Sequence, residues 1–222
     1  MEIGDWKATQ GLNETYRTAR ELGLEANLLE LETFGFTVVP PYRAAPKAFF
    51  ERLRDAVYRL IEKEDPSAVD INRQDAATRP AYGRQLFHLF VKDPVFAETI
   101  VNPYTTTLGR WMTGATCRLY SQVAFYKAGP VRTTYLHNDS TGMPSPLPAY
   151  GNVCNVSWIL TDYTVENGTF YMVPGSNRYC RHPTDLEQPQ FMGGVAPNDL
   201  GTPVLAEAGS LIVFHGNTWH GT

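Results

Sequence analysis

From about residue 115 onward the sequence is cut into short apolar, β-branched runs separated by Gly, Pro and Asn, and no helical pattern lies between them. That texture constrains the fold more than any other feature. Parallel strands need long, usually helical crossovers, so strands joined by short polar turns pair antiparallel, as in a sandwich or jelly roll. The runs are "TCRLYSQVAFYKA", "RTTYLHND", "NVCNVSWILTD", "GTFYMVPG", "TPVLAEA" and "GSLIVFHGNTWH", and each is expected to form a strand.

The first hundred or so residues carry the opposite texture. In "PKAFFERLRDAVYRLIEKED", Phe49, Phe50, Leu53, Val57, Leu60 and Ile61 recur at three- and four-residue steps, which makes one apolar stripe on a packing helix. "FGFTVVP" reads as a strand closed by Pro40, while "YGRQLFHLF" and "PVFAETIVNPYTTTLGRWM" read as helices interrupted at Pro94 and Pro103. With 43% hydrophobic residues, 222 residues can bury one sizeable core. The expectation is one domain over 1–222, mainly β, with a helical layer over about 1–114 bracing a β core over about 115–222.

Charge and cysteine usage narrow the partners. A net charge of −4 without a Lys/Arg block argues against nucleic acid, which demands a concentrated basic surface. No run approaches a membrane span and no secretory leader pattern opens the chain, so the expectation is a cytoplasmic protein. Cys117, Cys154 and Cys180 are too few and too scattered for a disulfide framework. The N-x-S/T sequons at Asn13, Asn138, Asn155 and Asn167 read as chance matches.

The chemistry enters at "YLHND". On a strand, His137 and Asp139 project from the same face with Asn138 turned away, which is chelating geometry. "GSLIVFHGNTWHGT" offers a third ligand in His215 or His220. Two imidazoles and one carboxylate on one face of a metal form the triad of non-haem Fe(II) oxygenases, and the open positions serve co-substrate and O2. His88, in an apolar run, and His182, beside Pro183, read as structural or surface residues.

"YLHND", "SWILTDYTVENGTFYMVPGSNR" and "GSLIVFHGNTWHGT", in that order and spacing, resemble the phytanoyl-CoA dioxygenase family of Fe(II)/2-oxoglutarate oxygenases. The resemblance implies a double-stranded β-helix, a jelly roll with the metal at its mouth. It implies His137, Asp139 and His220 as metal ligands and catalytic centre, with His215 as the competitor for the third place. It implies Fe(II), 2-oxoglutarate and O2 as cofactor and co-substrates and a small organic molecule as substrate. Trp158 and Thr222 resemble positions at the 2-oxoglutarate site, and Tyr135, on the strand face of His137, is a further candidate there. Lys127 resembles a common family residue but reads equally as a solvated strand end. Because related halogenases replace the carboxylate ligand with a small residue, Asp139 points to hydroxylation or desaturation. Asn167-Gly168 and Pro174-Gly175-Ser176 resemble the family's turns and carry structure more than chemistry.

One family feature is missing. An Arg about ten residues beyond the distal histidine anchors 2-oxoglutarate in the family, and the sequence stops at Thr222, so a C-terminal truncation is expected. "STGMPSPLPAYGN" is long and Pro-rich enough to be a lid or a plain connection. Two other classes fit the residues as well: a cupin-like metal hydrolase or isomerase, and a degenerate member that binds without turnover.

Overall fold

The computed structural model describes residues 6–64, 84–126, 135–187 and 201–222. The N-terminal half opens with helices α1 (Trp6–Glu21) and α2 (Glu25–Phe34), then strand β1 (Phe36–Val39). After a short α3 (Pro41–Ala44) comes α4 (Lys47–Glu64). The apolar stripe of α4 lands where its period puts it, with Leu53, Val57 and Ile61 buried against Leu86, Val95 and Phe96.

Helices α5 (Pro94–Val101) and α6 (Pro103–Thr113) begin as the two prolines predict. Each Pro takes the first helical turn, where its missing N–H costs nothing, and an acceptor side chain caps the freed donors. Asp93 accepts from Val95 N at 3.0 Å, and Asn102 Oδ1 accepts from Tyr104 N at 2.9 Å.

"YGRQLFHLF" departs from the expected helix. Arg84–Leu86 forms β2, paired antiparallel with β3 (Ala124–Tyr126), and His88 sits at φ 56°, in the left-handed region. The physical cause is long-range: burying Leu86 against α4 and pairing its backbone with β3 outweighs a weak helical period.

The remaining strands are β4 (Cys154–Trp158), β5 (Tyr171–Met172), β6 (Thr202–Pro203), β7 (Leu211–His215) and β8 (His220–Gly221). They make two antiparallel three-stranded sheets, β1-β7-β4 and β6-β5-β8. The first sheet has two apolar faces. Val39, Leu211 and Val213 pack on Leu24, Leu28, Leu31 and Leu108 of the helical layer, and the alternate residues Ile212 and Phe214 pack on Met172 and Val204 of the second sheet. A strand buried on both sides is continuously apolar, which explains "LIVF". Among the described residues more lie in helices than in strands, so the expectation of a mainly β chain gives way to helices layered on antiparallel sheets.

Gly35 joins the layers. It ends α2 at φ 83°, and its carbonyl accepts from His215 N at 2.8 Å and Thr218 Oγ1 at 2.9 Å. All three cysteines are free, and among the described residues no helix is long and apolar enough to cross a membrane.

Candidate metal centre

Of the expected strand around His137, the described residues 135–139 make a single antiparallel bridge, His137 with His220. His137 N donates to His220 O at 2.9 Å and His220 N to His137 O at 2.8 Å, so two histidines remote in sequence stand directly opposite. Their ring centroids are 4.3 Å apart. Asp139 is placed by the turn after β7, where its N–H donates to Gly216 O at 2.8 Å. Gly216 lies so close to the segment leading into β4 that a Cβ there would meet Val153 Cβ at 2.8 Å, which explains a glycine at this crossing.

Three donor atoms converge. His137 Nε2 is 3.7 Å from Asp139 Oδ1, His220 Nε2 is 3.4 Å from Asp139 Oδ2, and the three ligand atoms lie within 4.8 Å of one another. Ligands at right angles around a metal at about 2.1 Å stand about 3 Å apart, so a small inward shift closes the set. In both rings Nδ1 is 2.9 Å from a carbonyl two residues earlier, Tyr135 O for His137 and Thr218 O for His220. Nδ1–H donating to a carbonyl leaves the Nε2 lone pair free for a metal and fixes the ring plane. His220 is held neutral as well: burial, then the neighbouring His137 ring, pushes its pKa down to about 4, while Asp139 pulls the other way. Donor type, tautomer and charge therefore fit a divalent metal.

The site is open on one side. The His137 and Asp139 side chains are 30% and 32% exposed while His220 is 5% exposed, in contrast to a closed structural site. Phe214 and Phe170 support the His220 ring edge-on, at centroid distances of 4.9 and 6.1 Å.

His215 belongs to the other face of β7. It alternates with Phe214, lies beyond Leu211 and Val213 on the helical side, and its Nδ1 accepts from Asn217 N at 2.9 Å. Burial lowers its pKa. The same alternation turns Trp158 toward the helical layer. Its ring packs on Phe49 at a centroid distance of 5.3 Å, among the residues facing the helices. Tyr135 stands beside the triad, 55% exposed with its ring 5.4 Å from that of His137. Thr222 is buried, directly after the end of β8 and two residues beyond His220. His88 is not part of the cluster, and His182 Nε2 lies 2.7 Å from Met143 O. Lys127 lies outside the described residues.

Several supports had no signal in the sequence beyond polar residues at positions that strands and cores disfavour. Asn155, on β4, donates to Asp139 Oδ2 at 2.6 Å. Asn138, between the two ligands, is 1% exposed, and its Nδ2 donates to Arg181 O at 3.3 Å; Trp219 Nε1, next to the third ligand, donates to the same oxygen at 3.0 Å. Arg181 is fixed by a bidentate pair with Glu187, both bonds 2.8 Å, which draws the Glu187 pKa down to about 2. A buried Asn138 and a bonded Asn155 also leave no room for glycans on those two sequons. The Pro-rich loop is pinned rather than free. Leu147 is buried and its N–H donates to Cys180 O at 2.7 Å, and Asn217 Nδ2 donates to Pro148 O at 2.9 Å. Ser176 acts structurally, its hydroxyl donating to Val173 O and accepting from Trp219 N.

The comparisons with known proteins point the same way. The chain is 28% identical over 205 residues to Dioxygenase af480 of Aspergillus fumigatus, covering 90% of this chain and 61% of that protein. It is 23% identical over 212 residues to the ectoine dioxygenase of Sphingopyxis alaskensis, covering 85% and 66%. The chain thus spans between three fifths and two thirds of the length of these curated relatives. Its fold is similar to that of the non-heme alpha ketoglutarate dependent carbocyclase SnoK, with a TM-score of 0.62 at 22% identity over 89% of this chain and 76% of that one. The family model for phytanoyl-CoA dioxygenase matches residues 31–222, which take in both sheets and all three converging side chains, and the chain belongs to that family.

Proposed function

We propose that this protein is an Fe(II)- and 2-oxoglutarate-dependent dioxygenase that hydroxylates or desaturates a small organic molecule. The observation that carries the reading is the convergence of two Nε2 atoms and a carboxylate on an open face, with both Nδ1 atoms tied to backbone carbonyls. Both the family and the names of the relatives support it. In this reading the two facing sheets are the jelly roll of a single domain over 1–222.

His137, Asp139 and His220 hold the metal and form the catalytic centre. Iron bound there with 2-oxoglutarate supplies O2 chemistry that converts the keto acid to succinate and CO2 while oxidising a substrate C–H bond. The protein's part is orientation. The two imidazoles bind as neutral ligands through Nε2, and Asp139 offsets part of the metal charge. Tyr135 and Thr222 border the co-substrate, and the exposed edges of His137 and Asp139 mark the side from which substrate arrives. The acidic balance of the chain favours a small-molecule substrate over nucleic acid, and three free cysteines favour the reducing cytoplasm.

Succinate release in the presence of substrate should require both added Fe(II) and 2-oxoglutarate. Undiminished turnover with a chelator present, or with 2-oxoglutarate omitted, would move the protein to the hydrolase or isomerase class.

A further inference from the structure

We propose that Asn155 is the positioning residue that sets how Asp139 meets the metal: its side-chain amide holds Oδ2 and so fixes the rotation of the carboxylate, which then presents one oxygen to the metal. The inference rests on the reading of His137, Asp139 and His220 as a metal centre.

The bond from Asn155 Nδ2 to Asp139 Oδ2 is 2.6 Å, at the short end for a nitrogen donor and consistent with an ionised acceptor. Both partners are fixed by the same element. Asn155 pairs with Phe214 in the β4–β7 ladder, and Asp139 N donates to Gly216 O just past the end of β7. The two backbones are therefore held relative to each other, and only side-chain torsions can lengthen the bond.

Asn is a poor strand residue, so its place in the middle of β4 calls for a side-chain role. Strand alternation aims Cys154, Val156 and Trp158 at the helices and Asn155 at the second sheet, where Asp139 is its partner. A neutral amide is suited to the task. Lys or Arg at this position would hold the carboxylate equally well but would neutralise the charge that attracts the cation and repel the cation directly.

The carboxyl torsion of Asp is broad and roughly two-fold. Without the amide, Asp139 is free to turn both oxygens to the metal and occupy a position that an oxygenase keeps open for its co-substrates. Asn155 thus acts through Asp139 and does not touch the reacting atoms.

Co(II), whose visible bands report ligand number, tests this by titration into the protein and into the variants Asn155→Ala, Asn155→Leu and His137→Ala, each checked for folding by circular dichroism. The parent should bind one equivalent and His137→Ala should not. Both Asn155 variants should bind about 10–100-fold more weakly, the usual effect of removing a partner behind a ligand, with bands shifted toward higher coordination. Leucine fills the amide's volume without a donor, so it separates packing from positioning and decides the case if the alanine variant does not fold. Parental affinity and spectrum in Asn155→Leu would overturn the proposal, whereas failure of the parent to bind Co(II) would overturn the metal-centre reading itself.

Discussion

Exchanging His220 and His215 for alanine one at a time separates a metal ligand from a buried neighbour by heat denaturation alone. A metal that binds only the folded chain stabilises it by about 2.7 kcal/mol at 100 times its Kd. For a chain of this size each kcal/mol moves Tm by about 2–4 °C, so the parent should gain about 5–10 °C on metal addition. His220→Ala removes one of three convergent ligands. The affinity should fall by more than the roughly 100-fold that bounds the loss of an outer partner, and the gain at the same metal concentration should shrink to about 1 °C. His215→Ala behaves oppositely. Its imidazole is 5% exposed and accepts from Asn217 N, and an orphaned buried N–H costs about 1–3 kcal/mol. The metal-free Tm should therefore drop by several degrees while the metal-induced gain stays at the parental 5–10 °C. The assay is a pair of melting curves for each variant, with and without Co(II). A His220→Ala protein that keeps the full gain would refute the geometric argument, and a folded His215→Ala protein with no gain would exchange the two roles.

Metal-free stability should rise with pH between about 4 and 6.5: His220 is held down at about 4 and His215 below 6.5, so the unfolded chain takes up protons there that the folded chain refuses. That contribution is complete above pH 6.5 and lost on acidification, so urea midpoints at pH 7.5 and 5 should differ, and less so in His215→Asn. Gly35→Ala should cost more than about 2 kcal/mol in urea unfolding, because the position combines φ 83° with a Cβ that would meet Asn177 Oδ1 at 2.8 Å and also Thr218 Oγ1. Trp158→Phe should change stability by less than about 1.5 kcal/mol and leave 2-oxoglutarate affinity, read by calorimetry, as in the parent. It loses packing but also removes a buried indole N–H that has no partner among the described residues.

Local sequence carried the elements whose identity depends on a short period or a single backbone constraint. The stripe of α4, the starts of α5 and α6 at Pro94 and Pro103, and β1 before Pro40 are of this kind, because a 3.6-residue repeat or a ring without an N–H acts on its immediate neighbours. The pair His137 and Asp139 was legible for the same reason, since residues two apart on an extended chain share a face. "YGRQLFHLF" was not, because its strand exists through pairing with Ala124–Tyr126.

Which face of a strand looks where was decided only by tertiary structure. His215 and Trp158 carry the right chemistry for a site, yet one sheet register aims both at the helical layer, while Phe214 and Asn155, which pair with each other in that register, face the second sheet. Period-two alternation tells which residues travel together but not which set is inside, when both faces of β7 are apolar and buried. The sequence alone thus carried the types of the candidate donors and the pairing of His137 with Asp139. The pairing of His220 with His137 and the amide behind Asp139 come from contacts between segments far apart in the chain, which only the packing of two sheets brings together.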